Sequence, residues 1–231
     1  MKYPNIVQGK FVSRPNRFTA TVIINGKEQT VHVKNTGRCR ELLIPDCTVW
    51  LTKSDSPKRK TKYDLVAVEK QRDGKMPLLI NMDSQIPNAV VCEWLPHSGL
   101  FSNRAIIRRE VTYGSSRFDI YVEDDDRKAF IEVKGVTLEH DGIVMFPDAP
   151  TERGIKHLRE LSECINDGYE AYLIFVIQMN NVREFRPNDS THKAFGNALR
   201  QAAQNGVTIL ARECYVTPDT LKLADEVNIC L

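Results

Sequence analysis

The chain has 231 residues, 42% hydrophobic and 27% charged, an ordinary globular balance with room for one large domain or two small ones. No apolar run reaches the about 18 residues of a membrane-spanning helix, and Met1-Lys2-Tyr3-Pro4-Asn5 leads into no apolar signal core. The formal net charge of +2 hides an asymmetry: residues 1–82 carry 16 Lys and Arg against 7 Asp and Glu, whereas residues 83–231 carry 16 against 23. A basic first third on an acidic remainder predicts two modules, 1–82 and 83–231, with different tasks.

The basic module reads as short strands and turns. Strand-like apolar positions occur at 6–12 and 17–24. Asn25-Gly26 then separates Ile23-Ile24 from the alternating Gln29-Thr30-Val31-His32-Val33, the pattern of a tight hairpin. Residues 40–43 suit one helical turn, and further strands are expected at 48–51, 64–69 and 78–80. Short strands at this density predict a small closed β-barrel of the OB type.

From residue 83 the rhythm changes. A helix is expected at 89–95, then extended runs at 106–113, 117–123 and 128–136, the last two separated by the acidic turn Glu123-Asp124-Asp125-Asp126. A helix at 150–167 carries an apolar stripe of Ile155, Leu158, Leu161 and Ile165 and stops at Gly168. The nearly all-apolar 172–178 reads as a buried central strand. A helix at 190–205 turns Ala194, Phe195, Ala198, Leu199, Ala202 and Ala203 inward and stops at Gly206, before a strand at 207–211. The order helix, three strands, helix, strand, helix, strand is that of a mixed α/β domain. The six cysteines (Cys39, Cys47, Cys92, Cys164, Cys214, Cys230) form no CxxC pair, which argues against a zinc site and for reduced thiols in the cytoplasm.

The residues that suit chemistry are Asp119 and the run Ile131-Glu132-Val133-Lys134. Side chains two apart on a strand share a face, so Glu132 and Lys134 project together. A hairpin across the acidic turn brings Asp119 beside them. Two carboxylates and an ammonium suit Mg²⁺ or Mn²⁺, which takes a few carboxylate oxygens together with water and substrate phosphate. The same charges also suit a solvated sheet face with cross-strand pairs and no further role. The otherwise apolar strand around Glu132 and Lys134 favours the first reading, because buried charges need partners.

At these residues the chain resembles the PD-(D/E)XK nuclease superfamily, whose core is α-β-β-β-α-β. Asp119 matches its first acid, Glu132 its second and Lys134 its lysine, while Phe118 stands where the superfamily name has proline. Glu93, on the first helix, is the fourth candidate metal ligand. A closer resemblance lies in five blocks in order: Thr36-Gly37-Arg38-Cys39-Arg40-Glu41-Leu42-Leu43-Ile44-Pro45, Arg59-Lys60-Thr61-Lys62-Tyr63-Asp64-Leu65, Gly114-Ser115-Ser116-Arg117-Phe118-Asp119, Glu132-Val133-Lys134-Gly135-Val136-Thr137-Leu138 and Phe146-Pro147-Asp148-Ala149-Pro150-Thr151-Glu152-Arg153-Gly154. Together they resemble the sugar fermentation stimulation protein A family. That resemblance implies an N-terminal OB-like domain, a C-terminal nuclease-like α/β domain, DNA binding, a cytoplasmic setting and a link to the use of sugars, notably maltose.

Lys58-Arg59-Lys60-Thr61-Lys62 is either a solvated basic loop or a loop that contacts phosphate, and its place between barrel strands favours contact. Arg38 and Arg40 either grip phosphate or pair with acids. Phe18, Trp50 and Tyr63 are either core residues or stacking platforms for bases. Pro150 suits the first turn of the following helix, with Asp148 or Thr151 as its cap, and the same turn brings Arg153 and Lys156 near the acids as phosphate contacts. His157 is either structural or a proton carrier, and Gln178 is a candidate for orienting substrate. Two functions stay open: a largely sequence-nonspecific DNA-binding protein with a Mg²⁺- or Mn²⁺-dependent phosphodiester-hydrolysing site, or a DNA-binding regulator that keeps the fold without turnover. No membrane partner or small-molecule cofactor is expected, and a sugar-binding role has no support in the residues.

Overall fold

The computed structural model describes residues 1–35 and 37–231, so Thr36, which opens the 36–45 block, lies outside the described residues. The described chain forms two compact units. The first takes Met1–Ile86 with the short segments Gln178–Asn180 and Cys214–Lys222. The second takes Pro87–Ile177, Asn181–Glu213 and Leu223–Leu231.

In the first unit, six strands follow one another: β1 (Ile6–Ser13), β2 (Thr19–Ile24), β3 (Lys27–Val33), β4 (Thr48–Lys53), β5 (Tyr63–Arg72) and β6 (Lys75–Asn81). They lie in the order β3-β2-β1-β4-β5-β6. The sheet closes where β3 meets β5 in parallel, His32 against Asp64 and Val33 against Leu65, leaving β6 alongside β5. This is the expected five-stranded OB barrel. Asn25 and Gly26 both take positive φ, 50° and 75°, which the tight β2–β3 hairpin requires. Alternate residues Val22, Val31, Val49 and Leu65 are fully buried, so the barrel interior follows the period of two in the sequence. At 40–43 there is a single bonded turn, Leu43 N donating to Cys39 O at 3.0 Å.

Gln178 belongs to this first unit and not to a substrate site. Its Nε2 donates to Asn81 Oδ1 at 2.9 Å and to the Asp83 carbonyl at 3.0 Å, and its side chain is buried. Both donor positions are used inside the protein, which removes it as a substrate-orienting group.

The second unit begins with α1 (Ile86–Trp94). Three antiparallel strands follow, β7 (Ile106–Tyr113), β8 (Ser116–Asp124) and β9 (Arg127–Val136), then a short hairpin of β10 (Leu138–His140) and β11 (Ile143–Phe146). Next come α2 (Glu152–Asn166), β12 (Glu170–Ile177), β13 (Glu184–Pro187), α3 (Asp189–Gln204), β14 (Thr208–Thr217) and β15 (Thr220–Glu226), of which the stretch Cys214–Lys222 counts with the first unit, and β16 (Asn228–Ile229). The main sheet runs β15-β14-β12-β9-β8-β7, with β12 parallel to both β9 and β14. Seven of the eight residues of β12 are buried, as its apolar sequence predicts for a central strand. A smaller sheet, β10-β11-β13-β16, is an addition to the expected order.

The helix α2 carries Arg153, Lys156, His157 and Glu160. Thr151 is its N-cap and accepts from Gly154 N at 3.0 Å, so Pro150 precedes the cap instead of filling the first turn. Gly168 follows α2 with φ 86° and Gly206 follows α3 with φ 96°, the left-handed stops expected for both. On α3 the inward face is Phe195, Leu199 and Ala202, while Ala194 is exposed. Thr151→Ala removes a partner from an orphan amide and is expected to lower stability by about 1 kcal/mol. A fall of about 2–4 °C in Tm checks it, and an unchanged Tm refutes the cap assignment.

Candidate active site

The site grows out of the β8–β9 hairpin. Its ladder pairs Asp124 with Arg127, Val122 with Ala129 and Ile120 with Ile131. One residue further on, the same register sets Asp119 against Glu132. There the backbone ladder gives way to a side chain: Val133 N–H donates to Asp119 Oδ2 at 2.8 Å. From α1, Asn88 Nδ2 donates to Asp119 Oδ1 at 2.7 Å. The expected convergence of Asp119 with the Glu132 strand is therefore present, and two donors hold the Asp119 carboxylate.

Glu132 is 2% exposed. Its Oε1 accepts from Lys134 Nζ, on the same strand face, and from His157 Nδ1 on α2. Arg153 Nε donates to His157 Nε2 at 3.3 Å. A ring nitrogen that accepts carries no proton, so the His157 proton sits on Nδ1 and is donated to Glu132. Burial by itself would raise the Glu132 carboxyl, but the His157 hydrogen bond and the Lys134 charge hold it below the usual carboxylate range. Asp119 goes the other way. Burial and the neighbouring Glu132 charge raise it, against the pull of the Val133 amide, Lys134 and Asn88.

Glu132 Oε2 is buried with no hydrogen-bond partner among the described residues. A buried charged oxygen left unbonded costs about 1–3 kcal/mol or more. Both this oxygen and the raised Asp119 fit a hard cation, which would take the first and relieve the second. Among the described residues no group of three or more His, Cys, Asp or Glu side chains is arranged for a metal. The fit is therefore two carboxylates, with the remaining positions open to water and phosphate, as Mg²⁺ prefers. Glu93 is exposed on α1 and makes no three-acid cluster with Asp119 and Glu132, and Asn88 is the α1 side chain that bonds Asp119.

Sequence reasoning missed Asn88, for which no local signal exists, since its role depends on how α1 packs. His157 had a readable signal, because it falls on the inward stripe of α2 with Gly154, Leu158 and Leu161. Arg153 and Lys156 are exposed on the first turns of the same helix. Lys156 Nζ donates to the Ser115 carbonyl at 2.9 Å, while Arg153 reaches the acids through His157.

In the first unit the basic residues divide. Lys58, Lys60 and Lys62 are exposed, as are Arg38 and Arg40. Arg59 is committed elsewhere: its Nη1 donates to Asp64 Oδ2 at 2.8 Å and its Nη2 to Asp64 Oδ1. Of the three aromatics, Trp50 is half-buried and donates to Glu69 Oε1 at 3.1 Å, and Tyr63 is half-buried, while Phe18 stands 58% exposed.

Comparison with known proteins agrees with this architecture. The model of the SfsA N-terminal OB domain matches residues 12–76, and that of the sugar fermentation stimulation protein RE domain matches residues 85–220. A sugar fermentation stimulation protein homolog of Desulfitobacterium hafniense (strain Y51) is 57% identical over 231 residues, covering 100% of this chain and 99% of the relative. A homolog from Clostridium beijerinckii is 56% identical and is covered in full. Among solved structures, that of Pyrococcus furiosus SfsA in complex with Ca²⁺ superimposes with a TM-score of 0.84 at 26% identity, covering 100% of this chain and 98% of that one. On the closed barrel, the α/β unit and identity along its whole length, this chain belongs to the sugar fermentation stimulation protein family.

Proposed function

We propose that this protein binds DNA, largely without sequence preference, and hydrolyses phosphodiester bonds at a Mg²⁺- or Mn²⁺-dependent site of the PD-(D/E)XK kind. The observation that carries the reading is the half-buried Asp119 beside the buried Glu132, with Lys134 on Glu132 Oε1 and, among the described residues, no partner on Oε2. A purely DNA-binding module needs no such pair, since phosphate contact is made by cations. Asp119 and Glu132 would hold the ion, which supplies Lewis acidity at phosphorus and a more acidic bound water. Asn88 and the Val133 amide fix the orientation of Asp119. Lys134 supplies positive charge where negative charge develops. His157, backed by Arg153, keeps Glu132 ionised and aimed.

The Ca²⁺ of the Pyrococcus furiosus relative supports a hard divalent cation on this fold. The basic first unit supplies phosphate contact through Lys58, Lys60 and Lys62. Among the described residues no helix is long and apolar enough to cross a membrane, and cysteines that form no disulfide suit the reducing cytoplasm.

The test is cleavage of single-stranded, duplex and branched DNA with Mg²⁺ or Mn²⁺, beside Lys134→Ala. Cleavage is expected with the natural chain and is expected to fall by about 10²-fold or more in the variant. DNA binding without cleavage on any substrate rejects the hydrolytic half and leaves a DNA-binding regulator.

A further inference from the structure

A cavity of about 260 Å³ opens on the first unit, lined by Arg14, Arg17, Arg38 and Arg40 around Leu43, with no acidic side chain in its wall. Arg14 is its fixed centre. Its Nη1 donates to the Arg38 carbonyl at 2.7 Å, and its Nη2 to the carbonyls of Arg17 at 2.7 Å and Asn35 at 2.6 Å. All three acceptors are neutral, so the guanidinium keeps its full charge while tying together the segments that carry the other arginines.

Several other arginines are spent on carboxylates, including Arg59 on Asp64, Arg127 on Glu170 and Arg200 on Asp189. The Arg17, Arg38 and Arg40 guanidiniums have no carboxylate partner among the described residues. Four like charges around one concavity repel one another, and a phosphate oxygen is the ligand that guanidinium forks match best. Next to Arg17 in the chain, Phe18 is exposed although its backbone is fixed: its N–H donates to Asn16 Oδ1 at 2.9 Å and its carbonyl accepts from Val33 N at 2.8 Å. An exposed ring on a rigid support, one residue along the chain from a cationic pocket, is a combination that suits an unstacked base and its phosphate.

We propose that the pocket of Arg14, Arg17, Arg38 and Arg40, with Phe18 at Arg17, seats one nucleotide of a single-stranded nucleic acid and gives the protein a preference for strand over duplex. In a duplex the base faces are covered by stacking and cannot meet Phe18. The proposal rests on the DNA-binding half of the proposed function and is independent of hydrolysis.

The experiment titrates the full chain in EDTA, where no metal-dependent cleavage occurs. The probes are a labelled oligothymidylate of about 12 nucleotides, within the usual span of an OB fold, and a duplex of equal length. Fluorescence anisotropy is read over a range of salt. The natural chain is expected to bind the strand more tightly than the duplex. The double variant Arg17→Ala/Arg40→Ala is expected to bind the strand about tenfold or more weakly, with the log K against log salt slope reduced by about 1.4 for two phosphates. Phe18→Ala is expected to lose about tenfold on the strand with the slope unchanged. These side chains are exposed and make no internal bond that holds the fold, so an unchanged Tm accompanies the result. Arg14 is left intact because its bonds hold the backbone. Strand binding equal to the natural chain in both variants overturns the pocket. If duplex binding survives in that case, DNA binding stands and only the pocket falls. A natural chain that prefers duplex also overturns it, and one that binds neither probe ends both proposals.

Discussion

A Glu132→Gln protein is expected to bind Mn²⁺ at least about tenfold more weakly, to lose metal-dependent hydrolysis by about 10²-fold or more, and to unfold at lower urea. The amide has no charge for a cation. It also places an N–H donor in a position where Lys134 and His157 already donate to one oxygen. Lys134, with a side chain 18% exposed, is left without its counterion. Breaking a buried pair from one side costs about 3–5 kcal/mol, and this one lies at the lower end because Lys134 is partly wet. Lys134→Ala makes the contrast, since it removes a competing charge and leaves the carboxylates in place, so Mn²⁺ binding persists while turnover falls. Calorimetric titration and urea unfolding read the two quantities separately. Equal Mn²⁺ heats in the natural chain and Glu132→Gln would remove Glu132 from the metal site.

The second large effect separates stability from binding within one basic run. Arg59→Ala is expected to destabilise the protein by about 2–3 kcal/mol and to leave DNA affinity nearly unchanged. Removing the charges of Lys58, Lys60 and Lys62 is expected to do the reverse. Asp64 is buried at the seam where β3 meets β5. Burial by itself would raise its carboxyl. The Arg59 fork, His32 and Lys34 overcome this and hold it below the ordinary carboxylate range. Because the folded value lies below the unfolded one, the contribution is complete at neutral pH and fades as the pH falls through the folded value. The stabilities of natural chain and Arg59→Ala are therefore expected to converge in acid. Urea unfolding at neutral and acid pH checks the convergence. A variant as stable as the natural chain at pH 7 would show that Arg59 is free for phosphate.

What the sequence makes legible follows from the range of each signal. Asn25-Gly26 announces its hairpin because turn chemistry is local, and the barrel follows from strands that pair mostly with neighbours in order. Glu132 and Lys134 share a face by the period of a strand, and Asp119 reaches them through one hairpin. The small sheet of β10, β11, β13 and β16 was invisible because its strands have two to four residues and its pairings beyond the β10–β11 hairpin are long-range and parallel. The bond from Asn88 to Asp119 spans 31 residues and depends on helix docking. Arg59 was read with its basic neighbours because charge runs are conspicuous, whereas its partner Asp64 gains its meaning only when the barrel closes.

The Asp119 carboxylate stands where a backbone acceptor would otherwise continue the β8–β9 ladder. On the proposed hydrolytic reading its position serves two purposes, one chemical and one architectural. A descendant of this fold that gave up turnover would still keep Asp, or Asn as its isostere, to satisfy the Val133 amide. Lys134 has no part in the backbone ladder, and its structural duty is confined to the ion pair with Glu132. If the proposed hydrolysis holds, drift away from lysine at that position, with the acid at 119 retained, is the trace that its loss would leave in a lineage.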